Sequence, residues 1–113
     1  MYNYKIFGIT KVVDGDTVDA IIDVGFNILI KKRIRLYAIN APETRTKDKK
    51  EKQRGFESKK ALVSILDIHK DNITIQSHGI GKYGRVIGEL FIEGNSVSDF
   101  MISEGFAEKY PRE

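Results

Sequence analysis

The chain has 113 residues, 41% of them hydrophobic, and no cysteine. That is enough apolar material for one domain whose core needs neither disulfides nor a structural metal, and it excludes thiolate zinc sites and cysteine nucleophiles. Lysine and arginine number 19 against 16 aspartates and glutamates, for a net charge of +3 and a pI near 9.1, a mild bias towards polyanionic partners.

The opening Met1-Tyr2-Asn3-Tyr4-Lys5 lacks the apolar core of a signal peptide. No apolar stretch approaches the roughly 18 residues needed to span a bilayer. The expectation is a soluble monomer with no membrane partner, cytoplasmic by default and secreted if a leader has been removed. Residues 5–13 are a β-branched run ending at the turn pair Asp14-Gly15. The next strand alternates, with Val18, Ala20, Ile22 and Val24 on one face and Thr17, Asp19, Ile21 and Asp23 on the other, and Gly25 closes it. A third strand over 27–39 sets Ile28, Ile30, Ile34 and Leu36 inward and the cations Lys31, Arg33 and Arg35 outward. Pro42 cannot donate to a ladder and holds Ala41 extended, so the sheet ends there and Glu43 opens a loop.

From Arg45 to Arg54 six cations meet only Asp48 and Glu51, a run that reads either as a solvated loop or as an arm facing nucleic acid. Residues 55–67 carry Ser58, Leu62, Ile65 and Leu66 at helical spacing. Ile73 and Ile75 mark a fourth strand, and a glycine-flanked loop over 79–84 leads to a fifth over 85–92. Ser96, with Asp99 three residues on, opens a second helix, and Gly105 is placed to end it. The order strand, strand, strand, helix, strand, strand, helix predicts an α+β, mainly β fold over residues 1–113: a five-stranded OB-fold Greek-key barrel with two or three helices.

The β-meander can bring Asp16, Arg35, Asn40 and Glu43 to one cleft, joining a metal ligand, a phosphate-gripping guanidinium and a carboxylate base. That is equipment for cutting a phosphodiester.

These residues carry a resemblance. Val13-Asp14-Gly15-Asp16-Thr17, the stretch from Ile34-Arg35-Leu36 to Ala41-Pro42-Glu43-Thr44, Gly55 and Glu57, and Lys82-Tyr83-Gly84-Arg85 resemble the staphylococcal nuclease family in kind, order and spacing. The resemblance implies a calcium-dependent nuclease that cuts DNA and RNA at the 5′ side of the phosphate. It implies Asp16 and Asn40 as calcium ligands with the Ala41 carbonyl, Arg35 and Arg85 as the pair on the scissile phosphate, and Glu43 as general base. Lys82 and Tyr83 fall where the family contacts the terminal phosphate of a bound nucleotide.

The chemistry fits those residue types. Calcium takes six to eight hard oxygen ligands. Guanidinium forks hold phosphate bidentately, and a positioned carboxylate can accept a proton from water. The departure is Asn40, where the strong calcium binders of the family carry Asp, so one charge is missing. Two readings follow: an active nuclease, or a catalytically weak nucleic-acid-binding domain of the same fold.

Overall fold

The computed structural model describes residues 2–110. Its first three strands, β1 (Asn3–Asp14), β2 (Thr17–Asp23) and β3 (Leu29–Leu36), form an antiparallel meander. A two-residue β4 (Ile39–Asn40) follows, then helix α1 (Lys49–Ile68), strand β5 (Ile73–Ile80), a single 3-10 turn (Lys82–Gly84) and strand β6 (Val86–Ile92). The chain finishes with β7 (Asn95–Ser96), helix α2 (Val97–Ser103) and β8 (Glu108–Lys109), which pairs with β4. β1 pairs with β5 and β5 with β6, and the parallel pairing of β3 with β6 closes the barrel. Five strands, closed by that seam and accompanied by two α-helices, make the OB-fold expected from the order of elements.

The barrel closes because each strand presents one apolar face. Val18, Ala20 and Ile22 of β2, Ile34 and Leu36 of β3, Ile73 and Ile75 of β5, and Val86, Leu90 and Ile92 of β6 are all buried. Period two places their neighbours outside, so Arg33 and Arg35 face outwards as the alternation predicts. Helix α1 lays Leu62 and Leu66 against this core, and α2 adds Val97 and Met101. Ser96 caps α2, its Oγ accepting from the Asp99 amide at 3.1 Å.

Several boundaries differ from the sequence expectation, each for a local reason. The third strand is shorter at both ends. Phe26 and Asn27 take left-handed backbone (φ 56° and 62°) in the turn before it, leaving Ile28 exposed rather than inward. At the other end Ala38 (φ 64°) breaks the strand before Ile39. Helix α1 begins at Lys49, six residues earlier than its apolar spacing indicates, because Asp48 caps it: its Oδ1 accepts from the amides of Lys50 and Glu51 at 3.0 and 3.3 Å. Four of the six cations of the basic run are therefore on helix rather than loop. The loop over 79–84 is likewise partly ordered, since β5 continues to Ile80 and the 3-10 turn follows.

Candidate active site

Asp16 sits in the two-residue turn between β1 and β2 and is 8% exposed. The turn can lie flat against α1 because Gly15 has no side chain: a Cβ there would collide with Ser58 Oγ and come within 3.0 Å of the Ala41 Cβ. Both carboxylate oxygens of Asp16 are engaged. Oδ1 accepts from the Thr17 hydroxyl at 2.8 Å, and Oδ2 accepts from the Ala41 amide at 2.9 Å. The second bond ties the turn to the segment before Pro42, 25 residues away, and brings two sequence motifs into one place.

Arg35 completes the junction from the outer face of β3. Its Nη1 lies 3.6 Å from Asp16 Oδ2 and donates to the carbonyls of Asp16 (3.5 Å) and Leu36 (3.3 Å), while Nη2 donates to Asn40 Oδ1 at 3.2 Å. The guanidinium also lies 5.8 Å from the ring centre of Tyr110, within cation–π range. Asp16, Arg35, Asn40 and Ala41 thus form one bonded cluster.

Glu43 is exposed, at the mouth of a cavity of about 510 Å³ that Asn40, Ala41, Glu51, Arg54 and Glu108 also line. Its backbone is held twice. The Glu43 amide donates to Glu51 Oε2 at 3.3 Å, and the Glu43 carbonyl packs against α1 where Gly55 leaves room, since a Cβ on Gly55 would collide with it. One residue on, Thr44 Oγ1 donates to Asp14 Oδ1 at 2.7 Å and pins the loop to the end of β1.

Arg85 does not line the hollow of Glu43. It precedes β6 by one residue, and its Nε donates to the Lys82 carbonyl at 3.4 Å. Arg85 opens onto a second cleft that shares Asp14 and Thr17 with the Asp16 turn. Because β3 and β6 are parallel neighbours with Arg35 opposite Ile87, Arg85 lies on the same outer face as Arg35, offset by two residues. Strand spacing then puts the two Cα atoms roughly 8 Å apart. Tyr83, in left-handed backbone (φ 61°), is 96% exposed on the rim of that second cleft, and Lys82 is exposed beside it.

Sequence reasoning did not single out Thr17, Thr44, Glu51, Glu108 or Tyr110 as site residues. Glu51 had a legible signal, since Asp48 followed three residues later by Glu is the spacing of a capping box. Thr17, which bonds its neighbour Asp16, and Thr44 lie within the quoted motifs without a role of their own, whereas Glu108 and Tyr110 are placed by long-range pairing and had no signal.

Among the described residues no three histidine or acidic side chains are gathered to hold a metal ion. The oxygens that do converge are the Asp16 carboxylate and the Asn40 amide oxygen, both within reach of one guanidinium, next to the Ala41 backbone. These two oxygens are hard donors with one formal charge between them, the donor type that calcium takes.

A sequence model described as staphylococcal nuclease homologue matches residues 33–113. The chain belongs to the staphylococcal nuclease family. It is also 31% identical over 87 residues to a probable staphylococcal-like nuclease of Oryza sativa subsp. japonica; the match covers 76% of this chain and 24% of that relative's length. The family match starts at Arg33, so Asp16 falls outside it and enters the cluster through its bonds to Ala41 and Arg35. Among the described residues no helix is long and apolar enough to cross a membrane.

Proposed function

We propose that this chain is a calcium-dependent phosphodiesterase that hydrolyses DNA or RNA at the 5′ side of the phosphate. The observation that carries the reading is the single guanidinium of Arg35 reaching both Asp16 and Asn40, at 3.6 and 3.2 Å, beside the hollow that holds Glu43. Asp16, Asn40 and the Ala41 carbonyl would hold the ion. When bound, calcium supplies positive charge against a phosphate oxygen and orients the attacking water.

The chain's own groups do the rest. Arg35 and Arg85, on the outer face of adjacent strands, grip the non-bridging oxygens and stabilise the extra charge of the five-coordinate transition state. Glu43, solvent-facing and fixed through its backbone by Glu51 and the Gly55 gap, takes the proton of the attacking water. Lys82 and Tyr83 contact a neighbouring phosphate from the 3-10 turn. Asp16 supplies the one carboxylate for a cation, and the Ala41 amide holds it in one orientation.

One observation favours the weaker reading of a binding domain. Asn40 brings no charge, so the carboxylate that faces Arg35 is the sole formal anion in the cluster. Digestion of single-stranded DNA with calcium, against the same reaction in chelator, separates the two. The nuclease reading expects cleavage in calcium alone, and Glu43→Ala is expected to lower it about 10²–10⁴-fold while DNA binding is kept. Binding without cleavage by the unaltered chain would assign it to the binding module instead.

A further inference from the structure

The turn between β2 and β3 ends in side chains that nothing in the fold covers. Gly25, Phe26 and Asn27 all take left-handed backbone (φ 89°, 56° and 62°), and two backbone bonds close the turn: the Val24 amide donates to the Ile28 carbonyl at 3.0 Å and the Ile28 amide to the Gly25 carbonyl at 2.9 Å. Glycine and asparagine suit such a turn, but phenylalanine does not, because a bulky side chain at positive φ carries a conformational cost. Burial does not offset that cost, since Phe26 is 96% exposed, with Ile28 at 52% and Leu29 at 45%. Folding gives no reason for an apolar group at this apex, whereas a contact outside the fold does.

The strand leading away from the turn is basic. Lys31 and Lys32 follow Leu29 at roughly 7–10 Å along β3, are exposed, and form no ion pair among the described residues. Arg33, next in line, is taken up by Asp19 at 2.7 Å. The carboxylate at the base of the turn, Asp23, stands opposite Leu29 and accepts from the Gly25 amide at 2.8 Å. An apolar apex followed by cations matches the layering of an anionic bilayer surface, with acyl chains beneath phosphate headgroups. Shape decides between such a surface and a folded partner. A stable protein interface needs about 800 Å² from each side, more than Phe26, Ile28 and Leu29 provide on one turn, since a large aromatic contributes only about 150–250 Å². Lipids rearrange around a convex apex and need no preformed groove.

We propose that the β2–β3 turn is a docking point for an anionic lipid surface, with Phe26, Ile28 and Leu29 entering the acyl boundary and Lys31 and Lys32 among the headgroups. Among the described residues no helix is long and apolar enough to cross a membrane, so the contact is with the surface. β3 then acts as a spacer. Leu29 and Arg35 lie at opposite ends of it, roughly 20 Å apart at strand rise, so the cluster of Asp16, Arg35 and Asn40 is held away from the apex. Docking uses none of the groups assigned to hydrolysis, and either reading can fail alone.

The chain contains no tryptophan, so a single one is a clean reporter. Phe26→Trp and, as a reference beside Arg35, Tyr110→Trp are each mixed in chelator with vesicles of phosphatidylcholine carrying about one-third phosphatidylserine, and with phosphatidylcholine alone. Emission is expected to shift to the blue for Phe26→Trp on the anionic vesicles and to stay unshifted for Tyr110→Trp. The unaltered chain is expected to sediment with the anionic vesicles. Phe26→Ala is expected to weaken that partitioning about 10- to 100-fold. K31A/K32A is expected to weaken it about 30-fold at low salt, with the lysine share fading as salt rises.

Failure of the unaltered chain to sediment with anionic vesicles overturns the docking point, as does an unshifted Phe26→Trp spectrum on vesicles that have bound. Partitioning of Phe26→Ala or K31A/K32A equal to that of the unaltered chain overturns it too. So does self-association in light scattering that Phe26→Ala abolishes while vesicles stay unbound, which assigns the turn to a second copy of the chain. Single-stranded DNA binding that needs Lys31 and Lys32 while vesicle binding does not has the same force. Vesicle binding by a chain that never cuts DNA in calcium leaves the docking point standing and removes the nuclease. Calcium-dependent cutting by a chain that ignores vesicles does the reverse.

Discussion

Two hollows adjoin the Asp16–Arg35 pair, and their linings contrast in charge. On one side Glu43, Glu51 and Glu108 share a cavity with a single arginine, Arg54; on the other, five cations share a cleft with Asp14. A hollow rich in carboxylates repels a phosphate chain but can take a proton. The basic cleft does the opposite. The contrast sets carboxylates and cations on different surfaces, so substitutions should separate their effects.

After Glu43→Ala, the largest expected effect tests the two arginines against each other. Arg35→Ala and Arg85→Ala are each expected to lower cleavage about 10²–10³-fold. Only Arg35→Ala should also lower the midpoint of urea unfolding, because Arg35 bonds Asp16, Asn40 and two carbonyls, whereas Arg85 has one long bond to Lys82. Equal unfolding midpoints for the two variants would place Arg35 outside the framework described here. Next, Gly55→Ala drives a Cβ into the Glu43 carbonyl and should destabilise by about 1–3 kcal/mol, while slowing cleavage by displacing the carboxylate. Retained stability with normal cleavage would show that the Glu43 loop is not held by α1.

A smaller effect is expected at the proposed metal ligands. Asn40→Asp restores a charge and should tighten calcium about tenfold by calorimetry; unchanged or weaker binding would count against Asn40 as a ligand.

The smallest effect lies on the basic wall. The Arg33 hydrogen bond holds the Asp19 carboxyl below its ordinary 3.8, so the pair stabilises the fold above that value and the gain is lost as pH falls through the lower folded value. Arg33→Gln should therefore cost at most about 1 kcal/mol at pH 7, with the difference closing in acid, because the pair is largely solvent-exposed.

Much of this arrangement is legible in the chain because it depends on local alternation. The inward Val18, Ala20 and Ile22 and the outward Arg33 and Arg35 follow from period two, and Pro42 marks where the sheet ends. What was not legible depends on distant pairing or on a single dihedral. Ala38 in left-handed backbone ends β3 early, although nothing in an alanine announces it. The early start of α1 is masked by charge: the run of six cations reads as a solvated loop or as an arm facing nucleic acid, while Asp48 within it supplies the cap. The division of Arg85 and Glu43 between two hollows follows from the parallel register of β3 and β6, which strand patterns alone do not set.

That parallel seam has a consequence for how the molecule comes into being. Ile34 and Val86 lie about half the chain apart, so the Asp16 turn and the Glu43 loop are synthesised well before the strand that completes the wall behind Arg35. A nascent polypeptide halted before Val86 would carry Asp16, Asn40 and Glu43 but lack the β6 side of the barrel. The closed barrel would arrive late and all at once, when the last long strand docks.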